Sequence, residues 1–451
     1  MSTIIRKQPN FIKTHNLHKF YLLHFFFPKQ FNLQQKYPPK TLYNKQSTMA
    51  LKTSIFSLLT FLLILPNLTH SLEYPQHLLD ETYFQDLYNM NIHFPVSVSP
   101  ASSSLSPNAK TPRVPALFVL GDSSVDCGNN NFLGTFARAD RLPYGRDFDT
   151  HQPTGRFCNG RIPVDFLAMR LGLPFVPSYL GEVGAIEDMT HGVNYASAGA
   201  GIIYSSGSDL GQRVSFAQQI QQVTDTFQQF MMTMGEDAAN SLISDSIFYI
   251  SIGTNDYIHY YLQNVSGVQS MYTPWNFNHF LATSLKQEIK NLHTAKVRKV
   301  VVMGIAPMGC APHYLWRYKS KNGECIEEIN NMIMEFNFVT RYMIEELNQE
   351  LSDSKITFCD TYKGSMDIIQ NHERYGLQVT REACCGLGRY KGWIMCLSPE
   401  MACKNASTHI WWDQFHPTEA VNAILADNVW SGLHSTMCYP MNINDMIPAN
   451  S

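Results

Sequence analysis

Three short stretches carry side chains whose types and spacing suit nucleophilic chemistry. The first is Phe118-Val-Leu-Gly121-Asp122-Ser123-Ser124-Val-Asp126-Cys-Gly128-Asn-Asn-Asn131. A serine just past an apolar strand, after a glycine that permits a tight turn, can present its hydroxyl at a sheet edge. If the same turn starts a helix, the helix N-terminus favours developing negative charge. A plainer role for Ser123 is to cap that helix. A phosphate cradle fits poorly, because no GxxxxGK[ST] pattern is present. The second stretch is Gly253-Thr-Asn255-Asp256. Asn255 could donate its amide to an oxyanion, or the pair could form a turn that bonds its own backbone. The third is Trp411-Trp-Asp413-Gln-Phe-His416-Pro417-Thr418. Asp413 could hold His416 Nδ1–H and leave Nε2 free to deprotonate a serine. A histidine buried and satisfied near a helix start would have the same spacing.

These stretches follow apolar runs. Ala116–Leu120, Ser246–Ile252, Lys299–Gly304 and Lys355–Asp360 are short and continuously apolar, as suits strands buried on both faces. A shorter run, Gly192–Ala196, precedes Ser197-Ala-Gly199-Ala-Gly201. Helical texture separates them over Phe216–Met234, Phe280–Thr294 and Ile326–Ser352. Strands alternating with helices predict a three-layer α/β/α fold around a parallel sheet, with ligands beyond the carboxyl ends of the strands.

The 451 residues include 44% hydrophobic and 16% charged side chains, enough apolar material for a large core. The net charge of −3 hides an asymmetry. Nine of the 34 basic residues and none of the 37 acidic ones precede position 72, so the remainder carries 25 against 37, or −12. Such a body repels phosphate backbones, which argues against nucleic-acid binding.

Residues 1–48 form a basic extension without acids, and Met49 offers a second start. Lys52, the apolar run Ile55–Leu65 and the break at Pro66 read as a signal peptide cleaved near Ser71, too short to span a bilayer. Competing readings are an organelle transit peptide in the extension and an anchoring helix over 50–65. Residues 72–113 read as a linker, Ser/Pro-rich from Val96. A domain is expected over 114–438 and a tail over 439–451. All ten cysteines lie between Cys127 and Cys438, an even count that favours bridges in an oxidising compartment. Cys310 is expected to pair with Cys325, and the cluster Cys384, Cys385, Cys396 and Cys403 to hold local bridges. No Cys or His pairing has zinc-finger spacing, so no metal is expected. Asn264 and Asn405 head glycosylation sequons, and Asn67 heads a third inside the leader.

Together, the order GDS, glycine-rich block, GxND and DxxHP resembles the GDSL/SGNH esterase and lipase family, most closely its plant branch of secreted single-domain enzymes. The resemblance runs from about Val114 to Cys438. It includes Asn129-Asn-Asn131, Thr154-Gly-Arg-Phe-Cys-Asn-Gly-Arg161, Gly192-Val-Asn-Tyr-Ala-Ser197 and Cys384-Cys-Gly386. It implies a flavodoxin-like hydrolase fold. Ser123 stands where the nucleophile is expected and would lend its N–H to an oxyanion hole. Gly199, with Gly201 as the alternative register, stands for a second backbone donor, and Asn255 for the side-chain donor. His416 matches the general base and Asp413 its orienting acid. The motif's Leu is replaced by Ser124, which places a hydroxyl where an apolar residue would pack. The implied reaction is acyl transfer through a covalent intermediate on a small-molecule or lipid ester, with no cofactor. An acyltransferase or a carbohydrate esterase would use the same residues, and a silent binding protein would lack one of them. The aromatic stretches Tyr257–Tyr261 and His313–Tyr318 could line an apolar acyl site or simply pack.

Overall fold

The computed structural model describes residues 112–181 and 186–447. The basic extension, the expected leader with Asn67, and all but the end of the expected linker lie outside them. The four apolar runs form β1 (Leu117–Gly121), β2 (Ile247–Ser251), β3 (Lys299–Met303) and β4 (Lys355–Cys359). They are parallel and adjacent in that order, with Leu117 opposite Ile247, Ile247 opposite Lys299, and Lys299 opposite Lys355. Their continuous apolar character follows from burial on both faces. Leu117, Val119, Ile247, Tyr249, Val301 and Met303 enter one core, while Phe118, Leu120, Phe248, Ile250, Val300 and Val302 enter the other.

Seven longer helices cover the sheet: α1 (Pro163–Leu171), α2 (Phe216–Met234), α3 (Glu236–Asp245), α4 (Pro274–Thr294), α5 (Glu327–Glu350), α6 (Thr361–Gln370) and α7 (Glu419–Ser431). Residues of α1, α6 and α7 join the first core, and those of α2 and α3 the second. α4 and α5 reach both. α2 buries Phe216, Ile220, Val223, Phe227 and Phe230, one stripe at helical spacing. Ser215 caps it, and Gln218 returns the bond to the Ser215 N–H at 2.9 Å. α4 begins at Pro274 rather than Phe280, because Thr273 accepts from the Asn276 N–H and Pro274 fits the first turn.

The Gly192–Ala196 run lies outside β1 and makes ladder bonds at Val119 N to Val193 O (3.0 Å) and Tyr195 N to Val119 O (2.8 Å). It is not a regular strand. The Asn194 side chain bonds the Val125 carbonyl and the Ala196 N–H, competing with the ladder. Counting this segment, the chain crosses from β1 outward and then back past β1 to β2. That reversal puts the topological switch at the carboxyl ends of β1 and β2, where a crevice opens.

The sheet is mostly, not wholly, parallel. β5 (Val379–Ala383) and β6 (His409–Trp411) form a separate two-stranded sheet, and β7 (Cys438–Tyr439) pairs antiparallel with β4. The tail expected from 439 continues the domain, since Ile443, Met446 and Ile447 are buried. Cys310–Cys325 forms, and the local cluster resolves into Cys384–Cys403 and Cys385–Cys396. Cys359–Cys438 is a fourth bridge that fastens β7 to β4. Full pairing does not follow from the even count: Cys127 and Cys158 are buried free thiols.

Candidate active site

Ser123 follows β1 in a turn, not at a helix start. Val125 and Asp126 donate their N–H groups back to the Asp122 carbonyl, and the chain then runs irregularly to Gly128. The helix-dipole and helix-cap roles therefore do not apply to Ser123. Gly121 is required by close approach, since a Cβ there would lie 2.2 Å from the Ser251 carbonyl oxygen. The hydroxyl of Ser124 bonds Asp122 Oδ1 at 2.7 Å and Ser251 Oγ at 2.8 Å. The departure from the motif is thus absorbed as a polar tie between the two strand ends.

The third stretch sits in the loop from β6 to α7. Trp412 N–H donates to the His416 carbonyl at 2.7 Å, closing the loop. His416 Nδ1 lies 2.8 Å from Asp413 Oδ1, and Nε2 lies 2.8 Å from Ser123 Oγ. Asp413 Oδ1 also accepts from the N–H groups of Phe415 and His416. Asp413 Oδ2 accepts from the buried Tyr144 hydroxyl at 2.8 Å. Tyr144 packs edge-on against Trp412, and the Phe157 ring lies 5.1 Å from the imidazole. The disulfide cluster buttresses this loop, with Cys384 and Cys385 donating their N–H groups to Trp411 and Trp412.

Electrostatics follow from this geometry. Burial works against a charged imidazole, but the Asp413 charge and hydrogen bond, with the Asp122 charge, hold His416 above the usual value. Burial pushes Asp413 up, yet the His416 charge and the N–H donors leave it below the usual carboxylate range. Burial raises Asp122 despite its bonds from Ser124. Tyr144 is driven well upward by burial and the Asp413 charge, so it stays a donor.

The glycine block faces Ser123 across the crevice. Gly199 has φ +88° and lines the cavity. A Cβ on Gly201 would instead meet the Asp256 carboxylate at 2.7 Å, so Gly199 is the register that faces the crevice. Asn255, one turn past β2, gives one amide hydrogen to the Ala200 carbonyl at 2.9 Å and keeps the other. Among the described residues, no group accepts from the N–H of Ser123 or Gly199. All three residues line the same crevice.

Two buried carboxylates that the sequence reading passed over pin this block. Asp126 accepts from the Ala198, Gly128 and Asn129 N–H groups, and Asp256 from Ile202, Ile203 and the Ser206 hydroxyl. The Asn-Asp pair thus reaches across to another loop rather than bonding its own. Burial lifts both carboxyls to about 6 against these donors. Asn129 and Asn130 add bonds to the carbonyls of Asn194, Ala196 and Ala198.

The crevice deepens into a cavity of about 520 Å³ between β3, α6 and α7. Its walls include Met303, Ile305, Ile369, Leu425 and Val429. Of the two aromatic stretches, Ile258, His259, His313, Tyr314 and Arg317 face it, whereas Tyr257 and Tyr261 pack in the core. His313, pushed down to about 4 by burial, is a neutral wall residue. Among the described residues, no group of three His, Cys, Asp or Glu side chains is placed to hold a metal ion.

The sequence model of the GDSL-like lipase/acylhydrolase family matches residues 117–429. The chain belongs to that family. GDSL esterase/lipase 7 of Arabidopsis thaliana is 39% identical over 340 residues, covering 74% of this chain and 92% of its own length. Two further Arabidopsis thaliana proteins named GDSL esterase/lipases are 40% and 38% identical, covering 75% and 74% of this chain and 86% and 88% of their own. The matched region contains β1 to β6 and every residue of the constellation above.

Proposed function

We propose that the chain is a serine esterase that hydrolyses carboxylic esters through an acyl-enzyme on Ser123. One observation carries the reading: Ser123 Oγ lies 2.8 Å from His416 Nε2, while the other ring nitrogen rests on Asp413. His416 Nε2 takes the Ser123 proton as Oγ attacks the ester carbonyl carbon. The carbonyl electrons move to oxygen, and the N–H groups of Ser123 and Gly199 with the Asn255 amide bind that oxyanion. The tetrahedral intermediate collapses, the C–O bond to the alcohol breaks, and His416 returns the proton to it. Water then repeats the sequence and frees the acid. The apolar cavity beside Ser123 suits the acyl part of the ester.

We read the chain as secreted and glycosylated. Four disulfides, and exposed side chains at Asn264 and Asn405, support that reading. No helix among the described residues is long and apolar enough to cross a membrane.

Hydrolysis of a nitrophenyl ester by single-serine variants tests the mechanism and separates the adjacent hydroxyls. Ser123→Ala is expected to lower kcat by at least about 10⁴-fold, while Ser124→Ala keeps at least about a tenth of the activity. A Ser123→Ala variant that retains activity would overturn the reading.

A further inference from the structure

The mouth of the cavity carries two features that hydrolysis of a dissolved ester does not use. Phe136, Trp393 and Met395 line it and are nevertheless 64%, 54% and 43% exposed. Trp393 is stacked on Trp316, at 6.2 Å between ring centres, so its large apolar face is held at the opening. Exposed apolar residues scattered singly need no explanation, but three around one opening mark an interaction surface.

Charge gives the second feature. Arg138, Arg141 and Arg317 line the same mouth. Arg138 is paired with Asp140, and His259 beside the mouth is paired with Asp209. Among the described residues, neither Arg141 nor Arg317 forms an ion pair, and Arg141 Nε is buried without any partner. The acidic side chains that line the cavity, Asp122 and Asp413, are buried at its floor. Unpaired arginines on a body whose net charge is −12 form a local basic spot where the chain as a whole is acidic.

We propose that the cavity mouth is a docking surface for an anionic lipid interface. Phe136, Trp393 and Met395 enter the boundary between headgroups and acyl chains, and Arg141 and Arg317 meet anionic headgroups. Aromatic rings with a wet edge suit that boundary, and arginines at its rim are drawn to negative surface charge. The apolar cavity then opens directly onto the interface, so an acyl chain can pass from lipid to Ser123 without crossing water. Docking goes beyond the reading of Ser123 as a nucleophile and is measured without hydrolysis, so either can fail alone.

The test is co-sedimentation of the full chain with vesicles of phosphatidylcholine, with and without phosphatidylserine. The wild type is expected to bind, and more tightly when phosphatidylserine is present. Phe136→Ser with Trp393→Ser should weaken binding at least tenfold on both compositions. Arg141→Gln with Arg317→Gln should remove the preference for phosphatidylserine, at about fivefold per arginine, as should high salt. An unchanged Tm shows that these variants fold. A wild type that ignores vesicles, or a Phe136/Trp393 variant that binds like the wild type, would overturn the proposal. Capture of a protein by this face in place of vesicles would overturn it equally.

Discussion

The floor of the crevice and its mouth are built on opposite plans. On the floor, the carboxylates of Asp413, Asp126 and Asp256 are each fixed by several donors. Asp413 receives bonds from Tyr144, Phe415 and both the N–H and ring of His416, and Asp126 and Asp256 clamp the Gly199 block from either side. At the mouth, Phe136 and Met395 are exposed and Arg141 Nε has no partner among the described residues. The difference teaches where rigidity is needed. Proton transfer and oxyanion binding require donors fixed before the reaction, whereas contact with a bulky ester or a surface tolerates adjustment.

Breaking the floor should therefore cost most. Asp413→Asn removes the charge that orients His416 and is expected to lower kcat by about 10⁴-fold. It should also move the acid limb of the pH profile. His416 acts as a base only when neutral, so activity falls as pH drops through its pKa. In the wild type that limb should lie above the ordinary imidazole value of about 6.5. In Asp413→Asn it should move to lower pH, and a pH–rate profile reads both. Asn255→Ala removes one of the three proposed oxyanion donors and should lower kcat by about 10² to 10³-fold, with a smaller change in KM.

Asp256→Ala tests the clamp rather than the chemistry. It strands the N–H groups of Ile202 and Ile203 and should cost about 3 kcal/mol of stability, read by denaturant unfolding. Tyr144→Phe is a gentler probe. Without the tyrosine bond, Asp413 gives more of its charge to His416, so the acid limb should move to higher pH. The rate near neutrality should fall only a few-fold, about 1 kcal/mol. At the mouth, Phe136→Ser should change unfolding stability by no more than about 0.5 kcal/mol. A loss there as large as that of Asp256→Ala would erase the contrast between the two regions.

The pair at the centre of the floor also has opposite windows for stability and activity. The raised pKa of His416 contributes stability that is full below its unfolded value and lost as pH rises through the folded one. The depressed pKa of Asp413 contributes stability above its unfolded value that is lost as pH falls through the folded one. The charged pair therefore steadies the fold most between about pH 4 and 6.5, where His416 is protonated and cannot act as a base.

The same contrast governs what the sequence disclosed. Ser123, Asn255, Asp413 and His416 could be named as candidates because their stretches stand in one recognisable order beside strand ends, and β1 to β4 were legible because burial on both faces leaves an unbroken apolar run. β7 was not, because two residues paired antiparallel and fixed by Cys359–Cys438 leave no periodic signal. Tyr144 and Asp126 were missed for another reason. A tyrosine far from Asp413 in sequence is an ordinary core residue until the fold brings its hydroxyl to the carboxylate. Asp126 lies near Ser123, yet its target, the Ala198 N–H, is distant in the chain. The mouth was least legible, because Phe136 and Trp393 are far apart in the chain, carry no motif, and come to one opening only through the fold.

The most direct test of the central claim is labelling of the full chain, produced through a secretory pathway, with a fluorophosphonate, followed by mass mapping of the adduct. The probe reports an activated serine without a guess at the substrate. The account predicts a single adduct on Ser123, absent in His416→Ala. A folded protein that takes no label on Ser123, or takes it equally without His416, would contradict it.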